Sequence, residues 1–492
     1  MRQGSVRGRK LKEDFDHATY ISRFTWRYGS KEMRELFSEI EYRRIWREIW
    51  SALAEVQCKY GLISPDELAD IISHKEDIDL KRSHEIERQI KHDVMAEIRT
   101  YAEQCPKGGG KLHLGATSMD VTDNADVIRM YRALRIILQR LLQCLKSAKQ
   151  NILKYADLPC IGWTHMQPAE PTTLGYRFSN YALDLVMDVQ SVENLTELYI
   201  KGKGIKGAVG TSASFAGLLQ GKATPRQMEA EVMEKLEIGS YPVSTQTYPR
   251  KVDFLVLSVL ASIAQSAHKF GFDVRLLQSP IFGELSEPFG DAQVGSSAMP
   301  FKKNPIYSER MCSLARLVSG LVEASWINAS NTVLERTLDD SANRQIIIPE
   351  SFLATDEILR LYDKILKNIV VHTSMIQRNL LRYGDFAGVE AVLMKLVEKG
   401  VDRQDMHEKI RRYSLDAWNR VLLNEENPLP KMLKTDALIT DVLRPKEIDQ
   451  LLDASKHIGD APERCRTFVS EYVDPLLEKH KRLMHMKSDV EF

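Results

Sequence analysis

Four long stretches in the central part of this sequence contain no proline, and this spacing constrains the fold more than any other feature. The stretches cover residues 107–158, 172–224, 250–279 and 306–348. Because proline interrupts the interior of a helix, each stretch is free to form a helix far longer than the average of about 12 residues. The chain is therefore predicted to contain several long helices in succession.

Apolar side chains recur within these stretches at spacings of three and four residues. Over residues 126–156 the pattern predicts one helix about 45 Å long, at 1.5 Å per residue. Similar stripes predict helices over residues 174–200, 251–278, 306–328 and 346–380. Several such helices in a row favour a bundle, and their stripes are too broad for one chain to cover. We therefore expect self-association, with a large monomeric helical domain as the alternative.

The two ends of the chain have shorter predicted helices than its centre. Residues up to about 111 hold shorter amphipathic segments, and shorter helices resume from about residue 366. The sequence thus predicts an all-α fold in which a long central helical bundle is flanked by two smaller helical domains. The predicted domains are an N-terminal helical domain over residues 1–111, the central bundle over 112–365 and a C-terminal helical domain over 366–492.

Charge and composition exclude several functional classes. The chain has 68 Lys and Arg against 68 Asp and Glu, so its formal net charge is zero. It lacks the positive electrostatic field with which proteins bind nucleic acid non-specifically. It also contains no run of about 18 apolar residues, the length needed to span a membrane. We expect neither nucleic acid nor a membrane as a partner.

The amino-terminal residues and the cysteines bear on localisation. The first twelve residues are basic, but no apolar stretch follows them, so they do not form a secretory signal. A solvated tail is favoured over a short transit peptide. The six cysteines are scattered without C-x-x-C spacing, which is typical of reduced thiols. A cytoplasmic location is therefore expected.

Common cofactor and metal motifs are weak or missing from the sequence. Residues 202–207 match G-x-G-x-x-G, but a polar helical pattern rather than a strand precedes them, so a dinucleotide site is not favoured. The run continues to Ser214 and could hold an anion or form a plain interhelical loop. The sequence contains no H-E-x-x-H, G-x-S-x-G or Walker motif. We expect no metal and no cofactor.

Three polar segments interrupt the apolar stripes where a bundle would favour Leu or Ala: 113–124, 162–173 and 290–305. In the third, two glycines precede a Ser pair and two prolines follow it, which is typical of an irregular, movable loop. Lys302 and Asn304 add a cation and an amide to its hydroxyl groups. Each segment alone could serve as helix capping. Three of them at the ends of bundle helices favour one shared site.

The third segment resembles the signature loop of the fumarase/aspartase superfamily of lyases through Gly295-Ser-Ser-Ala-Met-Pro-Phe-Lys-Lys-Asn-Pro305. A wider set of segments resembles the adenylosuccinate lyase family, from about residue 20 to the carboxyl terminus. The set comprises Arg27-Tyr28, Lys91–Met95, Leu114–Ser118, Thr164–Pro168, Gln246–Asp253, Ser308–Arg310, Glu335–Arg344 and Arg403–Arg411.

The resemblance implies β-elimination of fumarate with cleavage of a C–N bond. The expected substrates are adenylosuccinate, which gives AMP, and succinyl-aminoimidazole-carboxamide ribotide, which gives the carboxamide ribotide in purine nucleotide biosynthesis. It also implies a homotetramer in which three subunits build each active site, without metal or cofactor. The alternatives are another fumarate-releasing lyase, such as an argininosuccinate lyase, or a non-catalytic helical assembly.

The resemblance also assigns roles to individual residues. Ser296 would be the catalytic base, with its alkoxide stabilised by loop N–H groups and Lys302, and His165 would be the acid. The implied substrate-binding residues are Arg27, Tyr28, Lys91, His92, Asp93, Thr117, Ser118, Gln246, Lys302, Asn304, Arg310, Arg336, Ser341 and Arg344. At Gln345, many relatives have an arginine. Either Arg344 takes over, or a phosphate contact is weakened.

Overall fold

The computed structural model describes residues 20–290 and 293–484. The basic tail over the first twelve residues, for which a solvated state is predicted, lies outside this range. The described chain is mainly helical, as predicted. The amino-terminal part contains α1 (Lys31–Leu36), α2 (Glu39–Lys59), α3 (Pro65–Ser73), α4 (Leu80–Ile90) and α5 (Asp93–Gln104).

The central part contains the long helices. In chain order its elements are α6 (Ser118–Lys154), β1 (Pro159–Thr164), β2 (Gln167–Thr173), α7 (Leu174–Tyr199), α8 (Ala213–Leu219), α9 (Pro225–Lys235), α10 (Lys251–Gln278), β3 (Leu285–Ser286), α11 (Ile306–Asn331) and α12 (Ser341–Asn368). Helices α6, α7, α10, α11 and α12 pack against one another and form the predicted bundle. Helix α10 is long and apolar enough to cross a membrane, but half of its most apolar stretch is buried inside the fold, as in a core helix.

The carboxyl-terminal part consists of one short strand and shorter helices. They are β4 (Val370–Val371), α13 (Thr373–Glu398), α14 (Arg403–Leu422), α15 (Leu429–Thr435), α16 (Ala437–Thr440), α17 (Pro445–Leu452), α18 (Ala461–Phe468), α19 (Asp474–Lys479) and α20 (Lys481–Met484). A π-helical turn over Val469–Val473 joins α18 to α19.

Two apolar cores hold the described residues together. The main core begins at Phe24, continues through the bundle to Ile376 and includes Val473. The second core lies between Val392 and Leu452. The amino-terminal helices and α18 therefore share the core of the bundle, and α13–α17 enclose the smaller one. The division into domains at residues 111 and 365 stays a prediction.

Two helix boundaries differ from the predicted ones by more than five residues. Helix α6 begins at Ser118, eight residues before the predicted start, because the polar residues of its first turns are buried rather than exposed. The predicted helix over 346–380 is wrong at residues 369–372, where the β-branched Val370–Val371 pairs antiparallel with Leu285–Ser286 before α13 begins at Thr373. The apolar pattern there continues from a helix into a strand without a break.

The long helices separate the polar segments along the bundle. Helix α6 has 37 residues and is about 55 Å long, so Thr117 at its start is far from the β1–β2 hairpin after its end. Helix α11 has 26 residues and is about 39 Å long. It separates the signature loop, residues 293–305, from Arg336 and Ser341, which follow its carboxyl end.

Candidate active site

A cavity of about 540 Å³ lies where the start of α6, the α4–α5 junction and the start of α12 meet. Nine of the residues that the sequence predicts for the site line it. They are Lys91, His92, Asp93, Thr117, Ser118, Gln246, Arg336, Ser341 and Arg344. Segments more than 200 residues apart in the sequence therefore converge at one point, and we take this cavity as the centre of the candidate site.

A capping box fixes Thr117 and Ser118 at the start of α6. The Thr117 N–H donates to Oδ2 of Asp120 at 2.9 Å. The buried Asp120 also binds the ammonium group of Lys203 and accepts N–H bonds from Lys206 and Gly207 at about 3.1 Å. The G-x-G-x-x-G segment is thus an interhelical loop after α7, and its N–H groups hold a carboxylate of the chain itself.

The residues Lys91, His92 and Asp93 form the sharp junction between α4 and α5. Lys91 has φ +56°, which ends α4, and His92 caps α5 by accepting the Met95 N–H at Nδ1 over 3.3 Å. Because Nδ1 accepts this bond, the neutral imidazole carries its proton on Nε2. The junction therefore presents an ammonium group, an N–H donor and a carboxylate at the cavity.

A network of largely buried charges, absent from the predicted site residues apart from Arg336 and Arg344, borders the cavity. Arg250 is its centre: Nη1 and Nη2 donate to Asp123 at 3.2 and 3.0 Å, and Nε donates to Asp340 at 2.7 Å. The other oxygen of Asp340 accepts a bond from Nη1 of Arg336 at 2.8 Å. Asp340 thus fixes the guanidinium group of Arg336 in the wall of the cavity.

Arg344 belongs to the same network. Its Nε donates to Asp253 at 2.7 Å, and its Nη2 donates to Asp126 at 3.2 Å and to the Tyr248 hydroxyl at 2.6 Å. Burial raises the pKa of Tyr248 well above its ordinary value, so the hydroxyl keeps its proton and donates to Asp253 at 2.5 Å. Arg344 lines the cavity, but most of its donors are already bonded within the chain.

The sequence contained a signal for this network. Asp120, Asp123 and Asp126 recur every three residues at the start of a long helix that is otherwise apolar. Carboxylates on the buried side of a helix need buried cations, and Arg250 lies in a segment that the resemblance had already singled out. Aspartates at helical spacing next to an apolar stripe would have predicted buried ion pairs.

Three of the other predicted residues form a second group, outside this cavity. The guanidinium group of Arg310 lies 5.7 Å from the centre of the Tyr28 ring, and that of Arg27 lies 5.9 Å from it. The Gly29 N–H donates to Glu357 in the middle of α12 at 3.3 Å, which fixes the segment across the bundle. The two guanidinium groups on one ring make a compact cationic surface.

The signature loop forms a third group at the other end of α11. The Ser296 hydroxyl oxygen accepts N–H bonds from Ala298 and Met299 at 3.3 and 3.1 Å. The Asn304 amide donates to the Gly295 carbonyl at 2.8 Å and closes the loop across its base. The side chain of Lys302 is exposed. Two N–H groups directed at one hydroxyl oxygen would stabilise negative charge on it.

His165 lies at the tip of the β1–β2 hairpin. Thr164 pairs with Gln167, so His165 and Met166 form a two-residue turn, and their φ angles of +52° and +61° are those of a type I′ turn. Next to the tip, the ring of Trp163 lies 4.8 Å from that of Phe282, which comes before the signature loop in the chain. The tip is exposed and projects from the chain.

Comparisons with known proteins connect these groups to a family. Residues 32–320 match a family model described as lyase, and residues 386–468 match one described as adenylosuccinate lyase C-terminus. An adenylosuccinate lyase of Schistosoma mansoni is 37% identical over 476 residues, which are 96% of this chain and 98% of that protein. The chain belongs to the adenylosuccinate lyase family. An adenylosuccinate lyase of Pyrococcus horikoshii is 35% identical over 92% of this chain and 97% of its own.

Solved structures agree on the fold. A 3-carboxy-cis,cis-muconate lactonizing enzyme from Pseudomonas putida superimposes with a TM-score of 0.80 and 24% identity, covering 93% of this chain and 98% of its own. A fumarate lyase from Mesorhizobium sp. BNC1 has a TM-score of 0.78 and 22% identity over 94% of this chain and 99% of its own. The predicted all-α lyase fold is thus confirmed, and membership of the adenylosuccinate lyase family makes the chain a C–N lyase.

Proposed function

We propose that this protein cleaves adenylosuccinate to AMP and fumarate, and succinyl-aminoimidazole-carboxamide ribotide to the carboxamide ribotide and fumarate. Purine nucleotide biosynthesis in the cytoplasm is the proposed setting. The observation that carries the proposal is the convergence of Lys91–Asp93, Thr117–Ser118, Gln246 and Arg336–Arg344 on one cavity in a chain of this family. Neither a metal nor a cofactor enters the proposed mechanism.

The cavity of one chain has too little positive charge for such substrates. Each substrate carries a phosphate and two carboxylates, roughly four negative charges at neutral pH. The charged residues that line the cavity are Lys91, Arg129, Arg336 and Arg344 against Glu87, Asp93, Asp123 and Asp126. Four cations against four anions leave no net positive charge. The remaining cations must come from groups that lie elsewhere on the chain.

We therefore propose a homotetramer in which three subunits build each site. Helices of about 39 and 55 Å separate the cavity from the signature loop and from the hairpin tip, so one chain cannot bring these groups together. Neighbouring subunits in opposite orientation would place one chain's cavity beside another's loop. Exposed apolar side chains on the long helices, including Met187 on α7 and Trp326 on α11, support such an assembly.

Ser296 is the proposed base. Its oxygen, as the alkoxide, removes a proton from the carbon next to the scissile C–N bond, and the electron pair moves onto the adjacent carboxylate of the substrate. The N–H groups of Ala298 and Met299 already point at this oxygen and lower the free energy of its anion. Lys302, in the same loop, supplies a cation for the succinyl carboxylates.

His165 is the proposed acid. As the C–N bond breaks, its protonated imidazole delivers a proton to the departing nitrogen while the double bond of fumarate forms. Ser296 then releases its proton to solvent, and His165 regains one. The exposed hairpin tip fits this role because it can enter the cavity of another subunit. His92, with its proton on Nε2, would donate to the substrate from the cavity wall.

The direct test is an assay of the purified protein with candidate substrates. Adenylosuccinate should lose its characteristic ultraviolet absorbance while fumarate and AMP appear in equal amounts. Argininosuccinate is the matched control, because it also releases fumarate on β-elimination but carries no phosphate. Release of fumarate from argininosuccinate and not from adenylosuccinate would overturn the proposal in favour of the alternative lyase, and release from neither would favour a non-catalytic assembly.

A further inference from the structure

Gln345 lies where two cavities meet. It lines the site cavity and a neighbouring cavity of about 1040 Å³, and its side chain is exposed. The family resemblance implies an arginine at this position, and the sequence has a neutral amide there instead. A neutral amide can donate hydrogen bonds to an anion, but it cannot balance the anion's charge. Another residue at this junction must therefore supply the missing cation if the substrate is to bind equally well.

Arg344, the nearest arginine in the sequence, does not fit this role. Its Nε and Nη2 are bonded to Asp253, Asp126 and Tyr248. Its side chain is 7% exposed, and two carboxylates balance its charge. With Nε and both hydrogens of Nη2 already donated, only Nη1 is left for a substrate anion, so Arg344 cannot offer a two-nitrogen fork to a phosphate without breaking these bonds. The first of the two alternatives raised by the sequence is therefore not favoured.

Arg129 on α6 lies at the same junction as Gln345. It lines both cavities, and its guanidinium group lies 3.7 Å from the centre of the Tyr42 ring. Its Nη2 donates to Oδ1 of Asp126 at 2.7 Å. In the described part of the chain, its Nε is buried without a hydrogen-bond partner, and no bond is made by Nη1. The guanidinium plane is fixed, yet part of its donor set is unused.

The carboxylate that holds Arg129 is shared with a second guanidinium group. Asp126 binds Arg129 through Oδ1 and Arg344 through Oδ2. A further arginine at position 345 would add a guanidinium group at the junction without adding a carboxylate. Arg129 and Gln345 therefore form a consistent pair, with one guanidinium group at the junction.

We propose that Arg129 is a ligand of the substrate's phosphate group, supplying from α6 the guanidinium that Gln345 does not supply from α12. The inference rests on the proposed function, which requires a phosphorylated substrate. The fork of an arginine matches the spacing of two phosphate oxygens. Tyr42 and Asp126 hold the fork in place before the substrate arrives, so little side-chain entropy is lost on binding. Arg336 and Ser341, which line the same cavity, provide further donors.

The test compares a nucleotide with the nucleoside that lacks its phosphate. Arg129→Met should lower kcat/KM for adenylosuccinate at least tenfold, mainly through KM, and should raise the inhibition constant of inorganic phosphate by a similar factor. For the dephosphorylated substrate, kcat/KM should change less than threefold. Equal losses on both substrates would indicate a merely structural role and would overturn the inference, as would an unchanged KM for adenylosuccinate.

Two further variants keep the test independent of folding. In Arg129→Met/Gln345→Arg, the guanidinium returns from α12, and kcat/KM for adenylosuccinate should recover to within about threefold of the original protein. Arg132→Met, one turn further along α6 and paired with Glu48, is the control and should leave both substrates unaffected. If the double variant forms the tetramer but its kcat/KM for adenylosuccinate does not recover, the result would count against Arg129 replacing an arginine at position 345. If the unmodified protein does not cleave adenylosuccinate, the proposed function fails instead.

Discussion

At the scale of single residues, the Ser296 hydroxyl differs from an ordinary surface serine because two backbone N–H groups are directed at its oxygen. Replacing Ser296 by Ala removes this oxygen and leaves the loop closure by Asn304 intact. We expect kcat for adenylosuccinate to fall by about 10²–10⁴-fold, the usual contribution of a positioned base, with the assembly unchanged.

The measurement is steady-state fumarate release together with sedimentation of the assembly. Ser297→Ala is the matched control, since the neighbouring hydroxyl is exposed and accepts no bond from the loop within the described residues. Near-normal turnover in Ser296→Ala would remove this residue from the base role.

The buried guanidinium group of Arg250 should affect stability more than an exposed ion pair does. In Arg250→Met, the carboxylate of Asp123 loses both hydrogen bonds that it accepts from Arg250. The carboxylate of Asp340 keeps only its bond from Arg336. Removing one partner of a buried pair costs about 3–5 kcal/mol, because a buried charge is left uncompensated. We expect a large fall in the thermal midpoint, measured by calorimetry. The exposed pair of Arg464 with Asp460 provides the control, and Arg464→Met should shift the midpoint little.

At the scale of helices and strands, α7 carries a carboxylate in its buried face. Asp188 is 2% exposed, its Oδ2 has no hydrogen-bond partner among the described residues, and burial raises its pKa to about 7. In the unfolded chain the same group titrates at about 3.9. Between these values the folded chain binds more protons than the unfolded one, so stability falls as the pH rises from about 4 to 7.

Asp188→Asn should therefore stabilise the protein at pH 8 and have little effect near pH 4. The upper limit of the gain at pH 8 is about 4 kcal/mol, from roughly three pKa units at 1.36 kcal/mol each. Thermal midpoints of both proteins across this pH range measure it. Asp416→Asn, at an exposed carboxylate on α14, should show no such pH dependence. If the difference in thermal midpoint between Asp188→Asn and the original protein stayed constant from pH 4 to pH 8, the proposed titration of Asp188 would be contradicted.

The long helices could be predicted from the sequence because periodicity is a local property. Helix α10 has the predicted ends, and α11 extends only from the predicted Asn328 to Asn331. The strand at Val370–Val371 could not be predicted, since its partner lies at Leu285–Ser286 and no local pattern reports such a distant pairing. The hairpin around His165 pairs neighbouring residues, but Pro168 and Pro171 lie within its second strand and conceal the strand pattern in the sequence.

At the scale of the whole molecule, the predicted site is divided among distant parts of one chain. Inactive Ser296→Ala and His165→Ala chains, when mixed and reassembled, should recover part of the activity, because some sites would receive both intact residues from different subunits. Fumarate release after reassembly measures the recovery. Two separate preparations of Ser296→Ala, mixed in the same way, should remain inactive. Mixed tetramers without recovery would argue against shared sites.

The site could be predicted from the sequence only in part, because some of its contacts depend on how distant segments pack. Residues near the cavity, such as Thr117 and Ser341, lie in segments that the family resemblance identifies, and the structure brings them together. The network of Asp123, Arg250 and Asp340 was not predicted, because ion pairs between remote helices depend on packing. The roles of Ser296 and His165 stay proposals, since each requires a group on another chain.

The exposed tip of the β1–β2 hairpin has a consequence for how the protein would respond to dilution. In the proposed assembly, the His165 imidazole of each subunit completes the cavity of another subunit. In a lone subunit this imidazole would be surrounded by water and the cavity would be incomplete, so the subunit would bind substrate poorly and would not convert it. Specific activity would then fall steeply once the protein concentration dropped below the dissociation constant of the oligomer. In a cell below that concentration, the reaction rate would rise more steeply than in proportion to the amount of enzyme.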